Sequence, residues 1–377
     1  MNYENDERIV LTLDAGGTNF VFSAIQANRS VVDPVVLPAE AEDLERSLAT
    51  IEQGFRLVAG SLATSPSAIS FAFPGPADYP RGVIDNVGNL PAFAGGVPLG
   101  PWLEKRFGLP VFINNDGDLF VYGEAIAGLL PKVNDMLKRA QSPKRYQTLF
   151  GITLGTGFGG GLVHRNRLFI GDNSNATEIW LMRNKVRPSC LSEDGASIRA
   201  VRNAYARLAG IDSNDAPSPK EISDIAMGRR EGVKVAALES YRELGEVVGD
   251  ALANALTLFD GLVVIGGGLS NSYPLFVPAL LKELNGEIEN YDGKSLPRIV
   301  QKSFDLEDDG QLSVFLEGDQ KEILMPGGDE SMLYDPMKRI GIGRSVLGTS
   351  EAVAIGAYAF ALNELDTAQI ELQLQSL

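Results

Sequence analysis

Apolar positions along this chain fall into short β-like runs and longer stripes of helical spacing. Residues 8–13 (RIVLTL) are β-branched and apolar, which predicts a strand, and residues 20–27 (FVFSAIQA) predict another. Only DAGGTN, residues 14–19, separates them, so the pair reads as a β-hairpin closed by a Gly-rich turn. Over 41–60 the spacing becomes helical, with Leu44, Leu48, Ile51, Phe55 and Leu57 forming the apolar stripe. A strand at 68–73, a Pro/Gly loop at 74–76 and a Gly/Pro-rich stretch to 100 come next. A helix at 101–107, a strand at 110–114 and a helix at 117–128 close the first half.

A linker of mixed charge (131–147) then leads to a strand over 147–154, the turn GTGFGGG at 155–161, and a further strand around Leu162 and Val163. The strand–turn–strand design thus occurs twice, as LTLDAGGTNFVFSAI and as GITLGTGFGGGLV. Two such units predict a duplicated α/β domain with a cleft between the copies. Helices are expected near 195–209, 219–228 and 231–258. A strand at 261–265 ends in Gly266, Gly267 and Gly268, ahead of a helix starting near Pro274. The acidic, Gly-rich stretch 300–345 reads as strands and loops inserted late in the second half. Residues 350–364 (SEAVAIGAYAFALNE) read as a helix that returns to the first.

Composition narrows the function classes. A chain of 377 residues exceeds the usual single core, which supports two lobes. Its net charge of −16 argues against a nucleic-acid partner, because phosphate binding draws on clustered Lys and Arg. One cysteine, Cys190, excludes an intramolecular disulfide, and one histidine, His164, leaves little for a Cys/His zinc site. The polar, acidic residues 1–8 do not read as a signal peptide, and no apolar run reaches the roughly 18 residues of a membrane helix. A cytoplasmic protein without a membrane partner is expected.

The glycine turns carry the candidate chemistry. Gly16 and Gly17 let backbone N–H groups approach an anion, and Thr18 and Asn19 add side-chain donors. In a phosphate site Asp14 would hold Mg²⁺ or its water, since a carboxylate repels phosphate. The same residues also suit an ordinary tight turn. Gly155, Thr156 and Gly157 open a run that matches G-x-G-x-x-G, yet a β-like continuation replaces the helix of a dinucleotide site. A second phosphate hairpin fits better, with Thr156 as donor. Gly266–Gly268 lies between strand and helix, where it would pass a nucleotide closely or let the helix pack. Asn114, Asn115 and Asp116 end a strand and begin a helix. Asp116 is placed there as a base for a hydroxyl, or as a simple helix cap.

The order of DAGGTN, FPGP (73–76), NLPAF (89–93), NNDGD (114–118), LGTGFGGG (154–161), VVIGGGLS (263–270) and LGTSEAVAIGA (347–357) resembles the ROK family of repressors, open reading frames and kinases. That family includes glucokinases and N-acetylhexosamine kinases, and the likeness spans nearly the whole chain. It implies a two-lobed α/β fold of the actin-like ATPase, ribonuclease H-like type. The lobes would comprise 1–128 with the returning helix 350–377, and 129–349 with the insertion at about 300–345. It implies that Asp14, Gly16, Gly17, Thr18, Asn19, Gly155, Thr156 and Gly157 face ATP phosphates and Mg²⁺, with Gly267 and Gly268 beside adenosine. Gly75, Asn89, Asn115, Glu178 and Glu193 would meet the sugar, and Asp116 would be the catalytic base.

Two departures stand out against that family. Where it has Gly-Glu-x-Gly-His, this chain has Ala176-Thr-Glu178-Ile-Trp-Leu181, so Leu181 stands at the His position. The Cys-rich zinc loop is reduced to PSCLSE (188–193), which predicts no zinc, and Leu181 or Trp180 would line an apolar wall instead. The resemblance therefore implies ATP-dependent transfer to a hexose or N-acetylhexosamine hydroxyl, most simply the 6-hydroxyl, by a homodimer. Two other readings are a sugar-sensing regulator, disfavoured because about seven residues precede the first strand, and a catalytically weak sugar binder.

Overall fold

A computed structural model describes residues 3–375 except 17, 76, 86 and 89. β1 (Val10–Ala15) and β2 (Asn19–Gln26) pair antiparallel as the first hairpin, with Ala15 opposite Phe20. β3 (Arg29–Ser30) and β4 (Val35–Pro38) both pair with β2. α1 (Leu44–Gly60) presses Ile51, Phe55 and Val58 into a core with Leu11, Leu13, Phe22 and Phe71. The rings of Phe22 and Phe55 meet edge to face with centroids 5.2 Å apart. The predicted stripe needs one correction, because Leu57 is 48% exposed and Val58 is buried instead. Two residues beyond Phe55 lies about 200° round the helix, which turns Leu57 outward.

β5 (Ala68–Ala72) runs parallel to β1. After the short pair β6 (Ala77–Asp78) and β7 (Val83–Ile84), α2 (Leu99–Phe107) leads into β8 (Val111–Asn114), parallel to β5. α3 (Asp116–Ile126) begins as soon as β8 ends. α4 (Leu129–Arg139) occupies much of the stretch read as a linker. Its mixed charge is one face of an amphipathic helix: Leu129, Leu130, Val133 and Leu137 are buried, while Lys132, Asp135, Lys138 and Arg139 are exposed.

β9 (Thr148–Leu154) and β10 (Phe158–His164) form the second strand–turn–strand unit, and β11 (Arg167–Leu168) follows. His164 closes β10 opposite Arg167, and the turn between them has positive φ at Arg165 and Asn166. α5 (Ile198–Ala209), α6 (Pro219–Ala226) and α7 (Lys234–Leu258) precede β12 (Leu262–Gly266) and α8 (Tyr273–Leu284). Beyond the hairpin β13 (Glu287–Glu289) and β14 (Ser295–Pro297) come β15 (Lys302–Asp305), α9 (Asp309–Glu317), the hairpin β16 (Lys321–Leu324) and β17 (Ser331–Tyr334), β18 (Arg339–Arg344) and α10 (Thr349–Gln375).

The first sheet has the order β3-β2-β1-β5-β8 with β4 on β2, and the second the order β11-β10-β9-β12-β18-β15. The stretch 300–345 is therefore more than inserted strands and loops. It contains the helix α9, and its β15 and β18 are parallel strands of the second sheet. Within it, buried Arg339 donates to Asp335 at 2.5 Å and to the Phe315 carbonyl at 2.6 Å, which fixes the base of the β16–β17 hairpin.

The chain divides into two compact units, Met1–Gly128 with Gly161–Ala176 and Leu347–Leu377, and Leu129–Gly160 with Thr177–Val346. In the first, α10 lies on α3, β1 and β5. The two helices approach closely enough that a Cβ on Gly123 would sit 2.0 Å from the Ala352 carbonyl oxygen, and one on Gly356 1.9 Å from that of Leu119. No helix among the described residues is long and apolar enough to cross a membrane.

Candidate active site

The first unit presents the turn between β1 and β2. The Gly16 N–H donates to the Asn19 carbonyl at 3.1 Å, and a Cβ on Gly16 would stand 3.0 Å from that oxygen. Glycine lets the turn close without crowding. Thr18 and Asn19 are exposed, and the Thr18 carbonyl accepts the Ala39 N–H at 3.0 Å. Gly17 lies outside the described residues. Asp14 is the exposed position of β1, between buried Leu13 and Ala15. Its pKa is raised above the usual carboxylate range, first by the protein crowding it and then by the negative charge of Asp116.

Asp116 is the first residue of α3, directly after β8. Asn115 caps the helix, its Oδ1 accepting the Gly117 N–H at 2.8 Å. The same N–H reaches Asp116 Oδ1 at 2.9 Å. Protein around the Asp116 carboxyl raises its pKa, and the Gly117 N–H together with the N–H of Asp116 itself opposes that only in part. Asp116 as a residue is nevertheless exposed at the surface. A carboxylate that is accessible yet surrounded holds its proton more readily than a free one, which suits a base.

A residue that the sequence reading passed over organises this end of the sheet. The buried Tyr79 hydroxyl donates to the Phe73 carbonyl at 3.0 Å and receives Asn115 Nδ2 at 3.4 Å. A Cβ on Gly75 would come within 2.9 Å of that hydroxyl, so the glycine leaves room for it. Gly75, Tyr79, Asn115 and Asp116 are thus one connected group. The signal was present in FPGPADYP, where Pro80 fixes the chain just beyond the tyrosine. Asn89 lies outside the described residues.

In the second unit the Gly155 N–H donates to the Gly157 carbonyl at 3.0 Å, and the Gly155 carbonyl accepts the Ile198 N–H at 2.8 Å. This ties the turn to the start of α5 and leaves Thr156 exposed. Glu193 closes the turn from the side: its Oε2 accepts the Phe158 N–H at 3.0 Å and would lie 2.9 Å from a Cβ on Gly157. Gly267 has φ +82° and would place a Cβ 2.4 Å from the Leu154 carbonyl oxygen, so β12 can pass the root of the second hairpin only with glycine there. Gly268 faces open space. The close approach at Gly267 is thus to β9 rather than to the helix that follows, and Gly268 has no neighbour within 4 Å of a Cβ.

Glu178 precedes a single 3₁₀ turn, Ile179–Leu181, and accepts the Trp180 indole N–H. Ser192 bonds back to the Ile179 carbonyl at 2.7 Å, which joins the Glu178 and Glu193 segments. Leu181 is 53% exposed. The loop at 184–191 is held by Asn184, which is 3% exposed. Its Oδ1 accepts the N–H groups of Val186 and Arg187 at 2.9 and 3.0 Å, and its Nδ2 donates to the Leu191 carbonyl at 3.2 Å. Among the described residues no group of three or more His, Cys, Asp or Glu is placed to hold a metal ion.

The ROK family profile matches residues 10–310. The chain belongs to the ROK family. The N-acetyl-D-glucosamine kinase of Vibrio cholerae is 30% identical over 272 residues, 68% of this chain and 83% of that protein. The crystal structure of a glucokinase from Parabacteroides distasonis superposes with a TM-score of 0.89 at 50% identity, covering 96% of this chain and 99% of that one. A ROK glucokinase from Streptomyces griseus, solved with glucose and AMPPNP, shares the fold with a TM-score of 0.56 at 19% identity, covering 93% and 97%. The fold of this ROK protein is the two-lobed, actin-like ATPase fold of ROK sugar kinases.

Proposed function

We propose that this chain transfers the γ-phosphoryl group of ATP to a hydroxyl of a hexose or N-acetylhexosamine, most simply the 6-hydroxyl, with Asp116 accepting the proton. The relatives named above are an N-acetyl-D-glucosamine kinase and two glucokinases, one of them solved with glucose and AMPPNP. The observation that carries the assignment of the base is the setting of Asp116: accessible, raised in pKa, and placed by the strand-to-helix junction of β8 and α3. Deprotonating a sugar hydroxyl asks for a carboxylate held in place whose proton affinity exceeds that of a free one. The Gly117 N–H fixes one Asp116 oxygen and leaves the other for the hydroxyl.

Asn115 has a second amide hydrogen beyond the one given to Tyr79, and it would orient a neighbouring sugar hydroxyl. Gly75 and Asn89 would border the sugar, and Glu178 and Glu193 would each offer it the oxygen not engaged with Trp180 or Phe158. Thr18, Asn19 and Thr156 present exposed donors for phosphate oxygens, with Gly16, Gly17, Gly155 and Gly157 allowing close backbone approach. Gly267 and Gly268 would flank adenosine.

Mg²⁺ fits the first unit, because Asp14 and Asp116 are acidic neighbours whose repulsion a hard divalent cation relieves. Asp14 would hold the ion or its water. When bound, Mg²⁺ neutralises charge on the phosphates of ATP.

An ADP-release assay over glucose, mannose, fructose, N-acetylglucosamine and N-acetylmannosamine tests the reading. Sugar-dependent ADP formation with at least one of the five is expected. ADP release no faster than without sugar, across the whole panel, contradicts it and favours a sugar binder.

A further inference from the structure

A cavity of about 210 Å³ opens in the second unit, between α5, α7 and the loop at 184–195. Arg199, Asn203 and Arg207 stand four residues apart on α5 and therefore share one face. Arg187 enters from the loop opposite. Two carboxylates answer the three guanidinium groups: Asp194 meets Arg199 at 3.1 Å and Glu243 meets Arg207 at 2.5 Å. Among the described residues Arg187 has no ion-pair partner. The wall thus carries one surplus positive charge in a chain whose net charge is −16.

We infer that this cavity is a binding site for a small phosphate-bearing anion, separate from the residues assigned to phosphoryl transfer. Guanidinium groups bind phosphate through paired N–H donors, and three arginines line this one cavity. The cavity is smaller than the 300–1,000 Å³ typical of drug-sized ligands, which points to a free phosphate or a phosphorylated sugar. Such an anion takes the place that Asp194 and Glu243 now fill at Arg199 and Arg207. Asp194 adjoins Glu193, which holds the Phe158 N–H of the second glycine turn. Occupancy is therefore felt at that turn through a single peptide link. This coupling rests on the kinase reading, whereas binding itself does not.

Isothermal titration of inorganic phosphate and of a hexose 6-phosphate into the full chain tests the inference. Wild type is expected to bind one equivalent more than the double variant Arg187→Ala/Arg199→Ala, or to bind about tenfold more tightly. Glu243→Gln frees Arg207 and removes a competing carboxylate, so it should tighten binding severalfold. Equal affinity for the two ligands assigns the site to the free anion, and preference for the hexose phosphate assigns it to the phosphorylated sugar. If wild type and the double variant titrate alike, or Glu243→Gln binds no better than wild type, the inference is overturned. Failure of the sugar panel would leave a difference between these titrations standing.

Discussion

Glu193 accepts the backbone N–H of Phe158 at 3.0 Å, so a carboxylate that sequence likeness assigns to the sugar also braces the glycine turn assigned to phosphate. Removing it leaves that N–H without its charged acceptor, a loss of roughly 1.5–3 kcal/mol for a hydrogen bond of this type. Glu193→Ala should therefore raise the KM for ATP as well as that for the sugar. Glu193→Gln keeps an acceptor oxygen and should recover most of the ATP effect. Steady-state kinetics with each substrate varied in turn distinguishes the two; an unchanged ATP KM in both variants would show that the brace is unimportant.

Gly267 and Gly268 are neighbours with opposite expectations. Gly267→Ala combines positive φ with a 2.4 Å approach to Leu154, so it should destabilise the chain by about 2 kcal/mol or more. Gly268→Ala meets nothing within 4 Å, so its melting temperature should stay near wild type. If Gly268 flanks adenosine, the added methyl should weaken ATP binding instead. Thermal melting and ATP titration of both variants check the pair.

The architecture was legible where local chemistry and long-range packing agree. Both hairpins showed themselves because a strand ran into glycines and another strand left. The stretch at 131–147 was not legible as a helix, since Lys132, Asp135, Lys138 and Arg139 surround only two buried apolar helix residues there, Val133 and Leu137. Leu57 and Val58 are adjacent and both apolar, and the helical spacing from Ile51 and Phe55 chooses Val58 for the core. Strands were expected within 300–345, but the place of β15 and β18 in the second sheet was not legible, because their partners lie far away in the chain.

At the site, residues with reactive side chains were easy to nominate, whereas those that hold them were not. Tyr79 and Asn184 act through backbone carbonyls and N–H groups, and apart from Pro80 beside Tyr79 the sequence carries no local mark of such contacts. Asn184→Ala removes two acceptor contacts and a donor contact from the loop at 184–191. Limited proteolysis should then cut within that loop at an earlier time than in wild type. Equal cutting rates would show that the loop is held by other contacts.

The pH dependence of turnover should carry the mark of Asp116. Its pKa lies above the usual carboxylate range, so its proton is lost later as pH rises. A base must be ionised, and the acid limb of kcat/KM should therefore fall at higher pH than the value of about 3.9 for a free aspartate. The same sign makes the charged form a burden on the folded state, with stability rising as pH falls through that pKa. A pH–rate profile of wild type, collected with the best sugar of the panel, checks the position of the limb.

The most direct measurement is the turnover of Asp116→Asn. Asparagine keeps an oxygen for the Gly117 N–H and removes a charge that burial disfavours, so the variant should melt at or above the wild-type temperature at neutral pH. With the proton acceptor gone, kcat should fall by about 10²- to 10⁴-fold while sugar binding persists. That combination is what the account predicts. A folded variant that phosphorylates sugar at near wild-type rate would contradict it.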